Sequence, residues 1–271
     1  MPRVLVISIP SAPERHDELL RTRVGPVVRR LQQATSPRAV WFERANKPEW
    51  SLRVVASGDE GWLEREARPA MTGALAGATG DPRFIEGEPD DKWTGGLRLA
   101  EALAGFHHAD TLACLDALDA DARAELGSRA QFSMLVVEGL LDALQVHGEL
   151  RLSFYHASFW WAVELGRWDR EVLDSLEQTF EKRRDALAMM IEHGDGDAGP
   201  GRWPSSQAAR IGRELIARIR DWAASSETTP ADISLHAAHS HSNRLGVHGG
   251  REAALRYLAW RARGGRPLAP A

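Results

Sequence analysis

The chain has 271 residues, 43% of them hydrophobic and 27% charged, so it is long enough to bury a sizeable core as a globular protein. Its net charge is -4 with acids and bases mixed along the chain, which excludes the basic stripe of a dedicated nucleic-acid binder. No apolar run approaches the ~20 residues needed to span a bilayer and no signal-peptide pattern opens the sequence, so we expect a cytoplasmic protein without a membrane partner.

Residues 1–92 predict a small α/β region. β-branched runs predict four strands, at 3–9, 40–44, 50–56 and 83–86, the middle two joined as a hairpin. Ser11 and Glu14 have capping-box spacing and would start one helix, which Pro26 could kink, while Asp59 would cap a second. The order β-α-β-β-α-β is that of the ferredoxin-like arrangement.

From residue 93 the apolar spacing becomes helical. It predicts seven helices, at 97–118, 130–147, 153–166, 169–193, 204–224, 230–243 and 250–263. The lone Cys114 excludes an intramolecular disulfide and falls in an apolar pattern, which predicts a buried thiol. A glycine-rich loop is expected at 194–201 and a loose tail at 264–271. The predicted fold class is therefore α+β, one domain with a sheet portion at 1–92 and a helical portion at 93–263.

The helix predicted at 230–243 carries an unusual polar stripe. Thr229 would cap it and Pro230 suits its first turn. The spacing i, i+3, i+4, i+7 then places four hydrogen-bonding residues on one face: His236, His239, Ser240 and Asn243. Such a stripe is typical of either a functional site or a wet interface.

Three interpretations of these histidines stay open at this point. They could be solvated or satisfied within the core, or they could perform acid-base work on a ligand. A zinc site is disfavoured, because the stretch lacks the His-Glu-x-x-His pattern and because His239 and His241 would point to different sides of the helix.

Two other stretches could contribute to a site. Arg53 lies at the centre of a predicted strand, where an exposed strand charge is the simpler interpretation. The aromatic run at 152–161 resembles a core helix, yet Tyr155, His156 and Ser158 would each need a polar partner if buried. No phosphate-binding loop, dinucleotide-binding glycine motif or nucleophile elbow is present, so we expect an enzyme to work without a cofactor.

Several motifs resemble a known family. They are Trp-Phe-Glu-Arg at 41–44, Trp-Ser-Leu-Arg-Val at 50–54, the Gly-Gly-Leu-Arg-Leu run at 95–103 with 106–110 after it, and His-Ser-His-Ser-Asn-Arg-Leu-Gly at 239–246. In this order they resemble the C-terminal, glutamate-eliminating part of lantibiotic dehydratases, which also occurs as a stand-alone protein in thiopeptide biosynthesis. The resemblance implies that the partner is a modified precursor peptide with leader and core, alongside other enzymes of the pathway.

The resemblance implies two possible reactions. One is glutamate elimination in a split dehydratase. The other is the pyridine synthase reaction, a formal aza-[4+2] cycloaddition of two dehydroalanines that expels water and the leader to form a macrocycle. We favour the second, since the short N-terminal half and the hairpin at 46–50 resemble those enzymes more closely, and since the ten tryptophans suit a site for flat azoles. The third hypothesis is that the protein binds the leader peptide without catalysing a reaction.

The pyridine synthase reading gives candidate roles to residues of these stretches. His239 would transfer protons, with Tyr155 and Ser240 as hydrogen-bond donors. The expected substrate-binding residues are Arg53 and Asn243 on amide carbonyls, Trp160 and Trp161 stacked on thiazoles, and His156 and Ser242. A charged leader would pair with the acidic stretch at 86–91 or with Arg29 and Arg30. No role is assigned to His241, Arg244 or His248, and no metal or cofactor is expected.

Overall fold

The computed structural model describes residues 3–32, 38–46, 49–75, 83–87, 97–166, 170–192, 203–225 and 230–266. The described residues form two compact units, the first ending at Arg123 and the second beginning at Ala124. The predicted loop at 194–201, the capping Thr229, the acidic residues 88–91 and the last five residues lie outside the described part.

The first unit contains a four-stranded antiparallel sheet. Its strands are β1 (Arg3–Pro10), β2 (Ala39–Ala45), β3 (Ser51–Gly58) and β4 (Arg83–Gly87), and their order across the sheet is β2-β3-β1-β4. Ile7 pairs with Val54 and Phe84 on the neighbouring strands. All four strands and the ferredoxin-like order predicted from the sequence are confirmed.

The helices of the first unit are interrupted by two π turns. They are α1 (Pro13–Leu19) and α2 (Gly25–Leu31), separated by a π turn at Leu20–Val24; α3 (Glu60–Trp62) and α4 (Arg68–Leu75), separated by a π turn at Leu63–Ala67; and α5 (Leu97–Ala122). The first π turn ends directly before Gly25 and Pro26, where the sequence predicted an irregularity. The side chains of Ile7, Ile9 and Phe42 are buried in the core of this unit.

The capping box predicted at Ser11 is wrong, whereas the cap predicted at Asp59 is confirmed. Ser11 directly follows β1 and is bonded to the neighbouring chain, because its N–H donates to the Trp50 carbonyl (3.0 Å) and its hydroxyl donates to that of Ile9 (3.3 Å). The first helix therefore begins at Pro13 without a side-chain cap. Asp59 Oδ1 accepts from the Trp62 N–H at 2.9 Å, and this bond is the main cause that lowers the pKa of its carboxyl.

Helix α5 belongs to the first unit, although its sequence pattern continues into the helical half. It packs against β2. The Arg29 guanidinium on α2 binds Asp116 (2.6 Å) and Asp119 (3.0 Å) on α5. Cys114 on the same helix is buried, as predicted.

The second unit is built from six helices. They are α6 (Arg129–Ala143), α7 (Gly148–Gly166), α8 (Arg170–Glu192), α9 (Ser206–Ser225), α10 (Pro230–Arg244) and α11 (Gly250–Ala262). Helix α7 begins five residues before the predicted start, and the other ends agree within a few residues. Helix α11 packs against α7 and α8, while α6 packs against α9 and α10. Within the described ranges, no helix combines the length and the apolar character needed to cross a membrane.

Candidate functional site

The polar stripe on α10 lies on a partly exposed face of the second unit. His236, His239, Ser240 and Asn243 are all half-buried, as the helical spacing predicted. The residues between them, including Ala238 and His241, are buried. The stripe is therefore neither fully solvated nor part of the core.

His239 is paired with a carboxylate from the next helix. Its Nδ1 lies 2.9 Å from Glu252 Oε2 on α11. The His239 side chain is 40% exposed while that of Glu252 is 8% exposed, so the acid is inside and the imidazole faces outward. Because a carboxylate accepts, Nδ1 carries the hydrogen, and Nε2 is the atom through which the ring can exchange a further proton.

A buried arginine ties α10 to α11 beneath this pair. Arg256 Nη2 donates to the Ala238 carbonyl and to Ser242 Oγ, both at 3.0 Å, and lies 3.4 Å from Glu252 Oε1. Ser242 also shares a hydrogen bond of 3.3 Å with Ser133 on α6. Ser242 was expected to bind substrate, but it is almost completely buried and its hydroxyl is engaged inside the unit.

Tyr155 is engaged in a second buried network. Its hydroxyl donates to Glu138 Oε1 at 2.7 Å, and Arg151 and Arg263 also bind the Glu138 carboxylate. Burial, followed by the nearby charge of Glu138, raises the pKa of Tyr155 well above its ordinary value. Tyr155 was expected to donate a hydrogen bond to the substrate. Its side chain is completely buried, however, and its hydroxyl already donates to Glu138.

The candidate aromatic residues of α7 form a cluster with α11. Trp160 Nε1 donates to His156 Nε2 at 2.8 Å, and the His156 ring lies 5.2 Å from the ring of Trp260. His156 is exposed and Trp160 is half-buried. The side chain of Trp161, which was expected to stack on thiazoles, lies outside the described part.

His236 sits beside the proton-transfer candidate on the same stripe. Burial, together with the nearby His239, lowers the pKa of His236. His236 therefore favours its neutral form, which supplies one donor and one acceptor without placing a charge next to His239.

Arg53 lies in the first unit, near the start of β3, which is an internal strand. Its register partners are Ser8 on β1 and Glu43 on β2. The side chain is half-buried, so it is not the fully exposed strand charge of the simpler reading. The other candidates, His239, Ser240, Asn243, Ser242, Tyr155, His156 and Trp160, lie on α10 and α7 of the second unit.

The sequence reasoning missed the residues that position these groups. Glu138 is a lone acid in the apolar run 134–141, and such an isolated charge signals a buried ion pair. Glu252 and Arg256 have i, i+4 spacing on the helix that follows the histidines, which could have identified them as partners. His241 and Arg244, which had no assigned role, are completely buried.

Three solved structures resemble the fold of this chain. The tRNA-dependent lantibiotic dehydratase MibB from Microbispora sp. 107891 matches with a TM-score of 0.71 and 16% identity, over 96% of this chain and 28% of that chain. The pyridine synthase TbtD from thiomuracin biosynthesis gives 0.68 and 16%, over 96% and 97%. TsrL gives 0.66 and 18%, over 97% and 94%. This chain thus spans between a quarter and a third of the length of MibB. At sequence identities of 16–18%, the similarity shows that the three proteins share the fold of this chain.

The sequence itself carries the family assignment. No curated protein matches it. However, the pattern of the lantibiotic biosynthesis dehydratase C-terminal family matches residues 5–263, which includes the sheet, the polar stripe of α10 and the His239–Glu252 pair. A match over nearly the whole chain, together with the same fold in a dehydratase and a pyridine synthase, shows that the chain belongs to the lantibiotic biosynthesis dehydratase C-terminal family.

Proposed function

We propose that this protein is a cofactor-independent pyridine synthase of thiopeptide biosynthesis. The observation that carries the proposal is the His239–Glu252 pair, because it places an oriented imidazole on a partly exposed polar face. The fold shared with TbtD over nearly the full length of both chains supports the choice of reaction. The substrate would be a ribosomal peptide with a leader, azoles and two dehydroalanines.

The reaction needs proton transfers at defined atoms. One dehydroalanine reacts as a 2-azadiene, formed when the preceding amide moves its N–H proton to its own oxygen. The Cβ atoms of the two dehydroalanines then bond, as do the iminol carbon and the second Cα. Loss of water and of the leader as an amide leaves an aromatic pyridine, so that no oxidant is consumed. The first tautomerisation, the loss of water and the loss of the leader amide each require an acid or a base within hydrogen-bond distance.

His239 suits these transfers. With Nδ1–H held by Glu252, its Nε2 would accept the amide proton and return it to the leaving groups. Ser240 and Asn243 on the same stripe would hold amide carbonyls. Tyr155 and Ser242 act in this proposal through Glu138 and Arg256, which fix α7 and α10, and not by touching the peptide. Holding two tethered ends together would supply much of the acceleration.

Glutamate elimination is the second candidate. MibB, a dehydratase, shares the fold of this chain. The same His239–Glu252 pair could remove the α-proton of a glutamylated serine. The fold shared with TbtD over nearly the full length of both chains, against 28% of MibB, supports the cycloaddition as the first choice.

Mass spectrometry of the reaction products tests the proposal. The protein is incubated, without added cofactor, with a thiazole-containing, leader-bearing peptide that carries two dehydroalanines. We expect an ultraviolet-absorbing macrocycle, lighter than the substrate by the leader amide plus one water, and the free leader amide. Loss of glutamate from a glutamylated peptide instead would establish elimination. Tight leader binding without any mass change would make the protein a non-catalytic partner.

A further inference from the structure

The exposed aromatic cluster of the second unit consists of His156, Trp160 and Trp260. Helix α7 supplies His156 and Trp160 at i and i+4, so the two side chains share a face. Trp260 comes from α11, where it is largely buried and its ring approaches His156 edge-on at 5.2 Å. The proton-transfer chemistry assigned to His239 does not use this cluster.

The tautomer of His156 is fixed by its neighbour. An indole N–H can only donate, and Trp160 Nε1 lies 2.8 Å from His156 Nε2. Nε2 must therefore offer its lone pair, which leaves the ring neutral with its hydrogen on Nδ1. Among the residues that the structure describes, no protein group accepts a hydrogen bond from this Nδ1–H. The cluster thus carries one hydrogen-bond donor, His156 Nδ1–H, on a ring that contacts two indoles.

This chemistry selects one kind of ligand. A flat ring can stack or pack edge-on against the indoles, and an in-plane lone pair on that ring can accept from His156 Nδ1–H. A cation is disfavoured, because the same donor would point its positive end at the ligand. A five-membered heteroaromatic ring with a ring nitrogen, such as a thiazole or an oxazole, meets both requirements.

The cluster lies at a defined distance from the proton-transfer pair. Glu252, Arg256 and Trp260 recur every four residues on α11, so they follow one side of the helix. Glu252 contacts His239 and Trp260 contacts His156, which separates the two sites by about 12 Å along the helix axis. That distance is about three to four residues of extended chain, so one peptide can reach both sites.

Gly265 packs against Trp260 and restricts its position. Gly265 donates its N–H to the Trp260 carbonyl at 2.9 Å. A Cβ atom on Gly265 would lie 2.4 Å from Trp260 Nε1, so only glycine lets the chain approach the indole this closely. The indole is therefore clamped in place, as a preformed binding surface requires.

We propose that His156, Trp160 and Trp260 form an azole-binding subsite in which His156 Nδ1–H donates to the ring nitrogen of an azole of the substrate peptide. This proposal rests on the proposed function for the source of the azole. The structure supplies the recognition chemistry independently of the reaction.

Two small probes that differ in one atom test the subsite directly. Thiazole-4-carboxamide carries the ring nitrogen, and the corresponding thiophene carboxamide has the same shape with a C–H in its place. Binding of each is followed by NMR on protein with ¹⁵N-labelled histidine, which also reports the tautomer of His156. We expect the Nδ1–H tautomer in the free protein, and thiazole bound about fivefold tighter than thiophene, the worth of one net hydrogen bond.

Three variants make the test specific. His156→Phe keeps a flat ring but removes the donor, so both probes should bind equally. Trp160→Phe removes the indole N–H, so the His156 signals should show mixed tautomers and the thiazole preference should shrink. His147→Ala, a change at an exposed histidine of the same unit, should leave the preference unchanged.

The result separates the subsite from the reaction. If the wild-type protein binds both probes equally, or if His156→Phe keeps the preference, the subsite is refuted even when the pyridine forms. If the thiazole preference depends on His156 but no pyridine forms, the subsite is supported and the proposed cycloaddition is refuted.

Discussion

At the residue scale, our proposal assigns proton transfer to the outward-facing imidazole of His239. We predict that His239→Ala lowers turnover by about 10²–10⁴-fold, the usual contribution of a positioned acid-base group, and leaves the affinity for the leader nearly unchanged. Single-turnover mass spectrometry and a separate leader-binding titration measure the two effects. The exposed His147 provides the matched control, since His147→Ala should keep full activity. A fully active His239→Ala variant would remove His239 from the mechanism.

In the proposed mechanism, Glu252 acts only through His239, which its carboxylate contacts. Glu252→Gln keeps the size of the side chain but removes the charge that holds Nδ1–H. We predict that turnover falls by about tenfold or more, as happens when the carboxylate behind a catalytic histidine is neutralised, with Glu252→Asp recovering part of it. Circular dichroism checks that the fold is intact, because Glu252 also lies near Arg256. Unchanged turnover in a folded Glu252→Gln protein would contradict the pairing.

At the element scale, close packing of α6 and α9 depends on a glycine. A Cβ atom on Gly139 would lie 2.2 Å from Cδ1 and 2.7 Å from Cγ1 of Ile216. We predict that Gly139→Ala reduces the free energy of unfolding by about 1–3 kcal/mol through overpacking, although alanine is the better helix former. The control is Gly73→Ala on α4, where the added Cβ meets no atom within 4 Å. The free energy of unfolding of that variant, measured with urea, should increase by up to about 1 kcal/mol.

Glu138 joins three elements of the second unit. It lies on α6 and accepts hydrogen bonds from Tyr155 on α7 and from Arg263 at the end of α11. We predict that Glu138→Gln costs about 3–5 kcal/mol of unfolding free energy, because the buried Arg151 and the neighbouring Arg263 lose a charge that both of them bind. Glu149→Gln, at an exposed position of α7, should change the stability by less than about 0.5 kcal/mol. Similar urea midpoints for both variants would show that the network contributes little.

At the scale of the whole molecule, folding stability depends on pH through groups such as His236. Its pKa is lowered in the folded state, first by burial and then by His239. As the pH falls through about 6.5, the unfolded chain takes up a proton that the folded chain resists, so stability is lost towards acid. We predict that the free energy of unfolding of His236→Gln falls less steeply between pH 7.5 and 5.5. The slope should decrease by the contribution of about one proton. Urea midpoints across this range measure it, with Ser240→Ala as a control of unchanged slope.

The whole fold was predictable to a large extent because it rests on periodicity. Alternating and helical apolar patterns report which face of an element is buried, and the structure confirms all four strands and seven helices. Caps were less predictable, because a local signal can lose to tertiary pairing. Ser11 has the spacing of a capping box but pairs with Trp50 in the sheet, whereas Asp59 is free of such pairing and caps as expected.

The sequence by itself determined the α+β class, the ferredoxin-like strand order and the polar face of α10, because these follow from residue spacing along the chain. Its motifs carried the family resemblance. Only the tertiary structure decided which polar groups meet. Glu252 reaches His239 across a turn, Tyr155 turns inward to Glu138, and Trp160 fixes the tautomer of His156. The physical reason is that a buried polar group must find a partner wherever packing brings one, and spacing along a single helix does not reveal the neighbouring helix.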